Sequence, residues 1–152
     1  MARAAKLNGR GHHVFAIIGD GESNEGQNWE AALFAAHSKL DNLVAITDYN
    51  KLQIDGFTDD ILSLEPLADK WRAFGWEVFD VDGHNMDELE ATLRKAKDVQ
   101  GKPAMVIAHT IKAKGCSVVE NTAGSHNVKV PDQEAYDKYI GALEVRDVEL
   151  PY

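Results

Sequence analysis

The chain has 152 residues, of which 44% are hydrophobic and 27% charged, and its net charge at pH 7 is −9. This length and composition are those of one globular domain, and the acidic balance argues against a nucleic-acid-binding surface, because phosphate contacts need clustered Lys and Arg. No apolar run reaches the roughly 20 residues that a membrane helix needs, and the lone cysteine, Cys116, excludes an internal disulfide, so a cytoplasmic location is expected.

Strand and helix patterns alternate along the sequence. The run HVFAIIG (13–19) is continuously apolar and predicts a strand buried on both faces. Residues 28–40 predict a helix with Trp29, Leu33 and Ala36 on one face. Further strands are predicted over 43–48, 76–81 and 103–110, and further helices over 66–75, 86–97 and 131–143. The alternation predicts an α/β fold with a doubly wound, mostly parallel sheet.

Polar residues follow the first two predicted strands where each one ends. Asp20, held between Gly19 and Gly21, follows the first strand, and Asn50 follows the second. If the two strands are parallel neighbours, these oxygen ligands meet at one edge of the sheet, where such folds bind ligands. Carboxylate and amide oxygens suit Mg²⁺, which usually shares its coordination sphere with phosphate oxygens. The pattern therefore predicts a Mg²⁺-bridged diphosphate site, although GDG alone is equally typical of a turn that ends a strand.

Other ligand-binding loops fit the same letters less well. An EF-hand loop beginning at Asp20 needs glycine sixth and glutamate twelfth, where Glu25 and Ala31 stand. The chain has no Walker A pattern, and the dinucleotide fingerprint G-x-G-x-x-G has Asn24 in place of its third glycine. A nucleotide-binding domain therefore stays as the weaker alternative.

Two longer segments resemble a known family. GDGESNEGQNWEAALFAAHSKLDNLVAITDYNKLQIDG (19–56) resembles the thiamine diphosphate signature, in which about thirty residues and an Asn follow GDG. Its Glu25-Gly26 pair, the WEA that opens the helix and DYNKLQIDG are similar to transketolases, above all to the N-terminal subunit of split, two-gene transketolases. TIKAKGCSVVEN…SH (110–126) resembles a second transketolase segment, with Ala113 where a glycine is usual. Deoxyxylulose-phosphate synthases and 2-oxo acid dehydrogenase E1 subunits share the GDG…N frame but differ around these segments.

The resemblance implies a thiamine-diphosphate-binding fold over residues 1–152, with an active-site loop at 112–129. It implies that Asp20, the Asn50 side chain and the Leu52 carbonyl ligate Mg²⁺ or Ca²⁺. The Gly21 amide would face the diphosphate of thiamine diphosphate, and Ile54 would form an apolar wall beside the cofactor.

Two further residues match catalytic positions of the family. Glu25 matches a glutamate that links two active sites across a dimer interface, although an acid at the start of a helix is also favoured by the helix dipole. His126 matches a histidine that reaches the diphosphate and the reacting end of the substrate, with Asn127 where a glycine is usual. The other five histidines have no such match and are expected to be structural: His12, His13, His37, His84 and His109.

By this resemblance the chain is expected to be a transketolase component that transfers a two-carbon ketol unit between sugar phosphates. It would need a separate C-terminal, pyrimidine-binding subunit, within a homo- or hetero-oligomer. The opening MARAAKLNGRG is typical of the end of a helix, so the N-terminal part of the domain is expected to be missing, together with a strand and a covering helix. The alternative is a non-catalytic remnant that binds a partner subunit.

Overall fold

Four parallel strands form one sheet at the centre of the protein, in the order β1-β2-β4-β3. The computed structural model describes residues 1–143. Its strands are β1 (Val14–Gly19), β2 (Leu43–Tyr49), β3 (Glu77–Asp82) and β4 (Ala104–His109). Its helices are α1 (Ala2–Leu7), α2 (Gly26–His37), α3 (Thr58–Ile61), α4 (Leu67–Ala73), α5 (Met86–Lys97) and α6 (Gln133–Gly141). No helix in this part of the chain is long and apolar enough to cross a membrane.

Helices cover the sheet on both faces, which confirms the predicted doubly wound α/β class. On one face, Ala32 and Ala35 of α2 and Trp71 of α4 pack in a core with the strand residues Met105 and Ile107. On the other face, α5 packs its apolar stripe against Val44 of β2 and Val106 of β4; this stripe consists of Leu89, Leu93 and Ala96. The predicted elements are therefore present, with bounds that shift by a few residues, and the short α3 is an addition.

Two expectations about burial are wrong. Phe15 and Ile17 of β1 are 47% and 72% exposed, although the apolar run predicted a strand buried on both faces. The reason is position: β1 lies at the edge of the sheet, and α5 covers the other three strands on the face where Phe15 and Ile17 project. In α2, Leu33 is 59% exposed, because the small residues Ala32 and Ala35 are the ones that face the core.

The strand register brings the two predicted ligand positions together. In the parallel pairing of β1 and β2, Gly19 lies opposite Asp48, so the residues that follow the two strands leave the sheet side by side. The Asp20 N–H donates to the Asp48 carbonyl oxygen (3.3 Å), which extends the pairing by one residue. Asp20 and Asn50 therefore meet at the carboxyl edge of the sheet, as the sequence predicted for neighbouring parallel strands.

Candidate functional site

An open pocket of about 460 Å³ lies at the carboxyl ends of β1 and β2. Every site residue predicted from the sequence lines it: Gly19, Asp20, Gly21, Glu25, Asn50, Leu52, Ile54 and His126. Residues 30 or more positions apart thus form one surface, because parallel strands deliver their following loops to the same edge. The pocket also contains residues that the sequence did not single out: Glu22, Asp48, Gln53, Asp55 and Lys112.

The loop after β1 is fixed by hydrogen bonds to its own backbone. The Glu22 carboxylate accepts from the Gly19 N–H (3.1 Å), and the Ser23 hydroxyl donates to the Gly19 carbonyl (2.9 Å). The Trp29 indole N–H of α2 donates to the Ser23 carbonyl (2.9 Å). Ser23 is fully buried. These bonds hold the backbone around Asp20 in one conformation, in the way that a preorganised binding loop requires.

Asp20 is a buried carboxylate held by backbone donors. Its side chain is 1% exposed; one oxygen accepts from the Gly21 N–H (2.7 Å) and the other from the Lys51 N–H. Burial raises the pKa of the Asp20 carboxyl above its usual range, and the nearby Asp48 carboxylate adds to this, whereas the two backbone N–H groups act to lower it. A buried carboxylate with acidic neighbours is a position that a cation would stabilise.

The loop after β2 forms a closed turn that carries the remaining predicted ligands. Its closing hydrogen bonds run from the Gln53 N–H to the Gly56 carbonyl (2.8 Å) and from the Thr58 N–H to the Lys51 carbonyl (2.9 Å). Lys51 adopts a positive φ of 63°, which turns the chain back toward Asp20. Inside the turn, the Asn50 Oδ1 accepts from the Leu52 N–H (3.0 Å).

Gly21 and Gln53 pack closely between the two loops. A Cβ added to Gly21 would lie 2.9 Å from Cγ of Gln53, so only glycine allows this approach without a shift. The Gln53 Nε2 is buried and has no hydrogen-bond partner among the protein groups. A buried N–H without a partner costs about 1–3 kcal/mol, and an anionic oxygen at this position would satisfy it.

The charge of the pocket favours a cation together with an anion. Five carboxylates line it, on Asp20, Glu22, Glu25, Asp48 and Asp55, against the single ammonium of Lys112 and the imidazole of His126. A diphosphate alone would meet net repulsion here, whereas a divalent cation reverses the local sign. Lys112 follows β4, whose carboxyl end lies at the same edge, so its place was accessible to the strand-end argument.

The residues that match catalytic positions lie at the rim. Glu25 is exposed and occupies the N-cap position of α2, without a side-chain capping bond. His126 is exposed in a short 3-10 turn over Ser125–Asn127. Ile54 is 60% exposed beside them, an apolar side chain in a polar pocket.

The other histidines lie away from the pocket lining, as expected for structural residues. The His109 Nε2 lies 3.1 Å from the Asp80 carboxylate, and the His84 Nε2 accepts from the Ile111 N–H (2.7 Å). His37 ends α2, and the His13 Nε2 lies 3.2 Å from the Lys97 carbonyl.

The donor set suits a divalent cation that is shared with a phosphate group. Within residues 1–143, no three His, Cys, Asp or Glu side chains form a cluster that could hold a metal alone. The predicted ligands are instead one carboxylate, one amide oxygen and one backbone carbonyl, which leave coordination positions for ligand oxygens. Together with the unpartnered Gln53 Nε2, these residues fit a cation–diphosphate group.

The fold and the pocket together define a parallel α/β domain that binds its ligand at the carboxyl ends of its strands. Residues 4–140 match the family model described as transketolase, thiamine diphosphate binding domain. The chain therefore belongs to the transketolase family.

Relatives and solved structures agree with this assignment. The 6-deoxy-6-sulfo-D-fructose transketolase subunit of Clostridium sp. (strain MSTE9) is 53% identical over 95% of this chain and 52% of its own length. One subunit of the apulose-4-phosphate transketolase of Actinobacillus succinogenes is 48% identical over 95% and 51%, respectively. The structure of transketolase from Campylobacter jejuni superposes with a TM-score of 0.79 at 31% identity, over 92% of this chain and 22% of that one. The chain spans about half the length of these two curated relatives.

Proposed function

We propose that this chain is the diphosphate- and cation-binding component of a transketolase, which transfers a two-carbon ketol unit between sugar phosphates. The observation that carries the proposal is the convergence of Asp20 and Asn50, from loops 30 residues apart, in one acidic pocket with fixed backbone. This convergence is what a Mg²⁺-bridged diphosphate needs, and the family model supplies the identity of the cofactor.

The residues of the pocket would divide between the cation and the diphosphate. Asp20, the Asn50 Oδ1 and the Leu52 carbonyl would hold Mg²⁺, or Ca²⁺ in its place. The backbone at Gly19-Asp20-Gly21 would lie against the diphosphate, with the Gly21 amide and the Lys112 ammonium as donors to its oxygens. Ile54 would cover the apolar part of thiamine diphosphate.

When bound, thiamine diphosphate supplies the carbon nucleophile and the electron sink for cleaving the bond next to a ketose carbonyl. The protein binds and orients that group and controls protons around it. His126, on a neutral or protonated imidazole, would donate hydrogen bonds to the diphosphate and to the reacting end of the sugar. Glu25 would place an exposed carboxylate at the rim, where a second active site across an interface could share it.

Substrate and partner follow from the relatives and from what the chain contains. The relatives' names concern a sulfonated ketose and a ketose phosphate, so we propose an anionic ketose as donor. We also propose that the partner is a separate pyrimidine-binding subunit, within a homo- or hetero-oligomer in the cytoplasm, because both curated relatives are named as subunits.

The test of the proposal is the loss of cofactor binding on removal of Asp20. Asp20→Asn and Asp20→Ala should weaken Mg²⁺-dependent binding of thiamine diphosphate at least 100-fold, measured by calorimetry with the partner subunit present. The matched control is Asp80→Ala, since Asp80 ends the same sheet in β3 but is 46% exposed and pairs with Arg72 and His109. Binding that survives in both Asp20 variants, with circular dichroism unchanged, would contradict the ligand assignment.

A turnover assay separates the enzyme from a non-catalytic remnant. With the pyrimidine-binding subunit supplied, ketol transfer from an anionic ketose to an aldose phosphate supports a catalytic component. Cofactor binding without any turnover would favour a remnant that only binds a partner.

A further inference from the structure

Asp48 is a pocket residue that no predicted role accounts for. It is the last residue but one of β2, where its register partners are Gly19 on β1 and Ala108 on β4. Its side chain is partly buried and lines the pocket beside Asp20 and Asn50. It therefore stands between the two strands that carry the predicted cation ligands and the strand that leads into the 112–129 loop.

Both carboxylate oxygens of Asp48 accept hydrogen bonds from the protein. Oδ1 accepts from the Thr110 hydroxyl, just after β4, and Oδ2 accepts from the Asn50 Nδ2 (3.1 Å). The backbone adds a second tie between the same segments, since the Thr110 N–H donates to the Tyr49 carbonyl (3.2 Å). Thr110 thus fixes the rotation of the Asp48 carboxylate, and the carboxylate in turn contacts Asn50.

These bonds decide which end of the Asn50 amide faces which way. An ionised carboxylate can only accept hydrogen bonds, so the NH₂ end of Asn50 must face Asp48. The Oδ1 end then points away from Asp48, where it accepts from the Leu52 N–H (3.0 Å). The reversed amide would place Oδ1 against a carboxylate and NH₂ against an N–H, two repulsive contacts in place of two hydrogen bonds.

We propose that Asp48, anchored by Thr110, is the positioning residue that presents the Oδ1 of Asn50, rather than its NH₂ group, to a divalent cation in the pocket. The proposal rests on the proposed function for the identity of the cation, and it adds a residue and a role to it. Groups that orient a metal ligand in this way typically change metal affinity 10- to 100-fold when they are removed.

Three variants of the full chain separate position from charge. Asp48→Ala removes both hydrogen bonds and the charge, and should raise the Kd for Mg²⁺, at saturating thiamine diphosphate, 10- to 100-fold. Asp48→Asn can still accept from Asn50 and donate to Thr110, so it should recover most of that loss. Thr110→Val keeps the charge and the shape but frees the Asp48 carboxylate to rotate, so it should raise the Kd about three- to tenfold. Asp80→Asn, a charge removal on the same sheet outside the pocket, is the matched control and should stay within twofold of the wild type.

The opposite pattern would overturn the proposal. If Asp48→Ala stays within twofold of Asp80→Asn, Asp48 has no role in cation binding. If Asp48→Asn is as weak as Asp48→Ala while Thr110→Val equals the wild type, Asp48 acts by charge alone and does not position Asn50. Should Asp48→Ala fail to fold, Thr110→Val and Asp48→Asn still give these two answers.

A second measurement needs no bound metal. The side-chain NH₂ resonances of Asn50, observed by ¹⁵N NMR, should shift and exchange faster in Asp48→Ala, whereas those of Asn85, the N-cap of α5, should not change. Unchanged Asn50 resonances would overturn the positioning role. If the wild type binds no cation at all, the proposed function fails, and these resonances alone decide whether Asp48 orients Asn50.

Discussion

The packing at the site edge can be tested with one added methyl group. Gly83 follows β3, and its N–H donates to the His109 carbonyl of β4 (2.8 Å). A Cβ at this position would overlap the Thr110 methyl group and would lie 3.1 Å from the His109 carbonyl oxygen and 3.2 Å from the Ala108 Cβ. The last two atoms belong to the strand itself, so they cannot move away by a side-chain rotation. We therefore expect Gly83→Ala to strain the segment that holds Thr110 against Asp48.

The expected size of this effect follows from two opposing contributions. Overpacking of a well-packed site costs about 1–3 kcal/mol, and the reduced freedom of the unfolded chain returns about 0.4–1 kcal/mol. The free energy of unfolding should therefore fall by about 1–2 kcal/mol. In urea, with a slope of about 1–3 kcal/mol per molar, the midpoint should fall by about 0.5–1 M, followed by tryptophan fluorescence.

Two controls make the result specific. Gly141→Ala at the end of α6 adds a methyl with no atom within 4 Å, so it should leave stability unchanged or slightly raised. In a Thr110→Ser background, which lacks the methyl group but keeps the hydroxyl, Gly83→Ala should cost about half as much. An unfolding free energy equal to or above that of the wild type would refute the packing, and an equal cost in both backgrounds would show that the methyl group is not the obstacle.

Three further predictions concern the rest of the fold. Tyr49→Phe removes a buried hydroxyl that donates to Glu65, so urea unfolding should show a loss of about 1.5–3 kcal/mol, as for hydrogen bonds to charged groups. Asp41→Asn should lower the unfolding free energy at pH 7 by about 0.5–1 kcal/mol, because the Lys6 ammonium (2.6 Å) and the Gly101 N–H hold the pKa of Asp41 below its usual range. That difference should be complete above the unfolded pKa of about 3.9 and vanish as the pH falls through the lowered folded value, so equal stabilities at pH 7 would contradict it. Ile17→Thr, at a side chain 72% exposed, should change stability by less than about 0.5 kcal/mol, whereas Val106→Thr in the core should cost more than about 1 kcal/mol; equal thermal shifts in the two variants would be inconsistent with β1 as an edge strand.

Local patterns in the sequence were sufficient for most of the fold. The spacing of apolar residues predicts α5 with its observed bounds, 86–97, and the apolar runs predict all four strands. Burial of β1 could not be predicted in the same way, because a run such as HVFAIIG reports apolar side chains and not the neighbours that cover them. The exposure of Phe15 and Ile17 depends on the strand order, which is set by tertiary packing.

The candidate site was predictable where a strand-end rule applied. Asp20 and Asn50 follow consecutive parallel strands, so their meeting required only that the strands be neighbours, which the register confirms. Asp48 was not found, because an acid inside a strand-ending segment reads as an exposed strand end until the Thr110 and Asn50 bonds are seen. Lys112 and His126 enter the pocket from a loop whose path no periodic pattern specifies.

The central claim is that the pocket holds a diphosphate through a divalent cation. The most direct measurement is a calorimetric titration of thiamine diphosphate into the full chain, with Mg²⁺ or with a chelator, alone and then with the pyrimidine-binding subunit. The structure predicts binding that requires Mg²⁺, because five carboxylates line the pocket, and that strengthens when the second subunit is added. Binding of equal strength in the chelator, or none with Mg²⁺ and the partner subunit both present, would contradict the account.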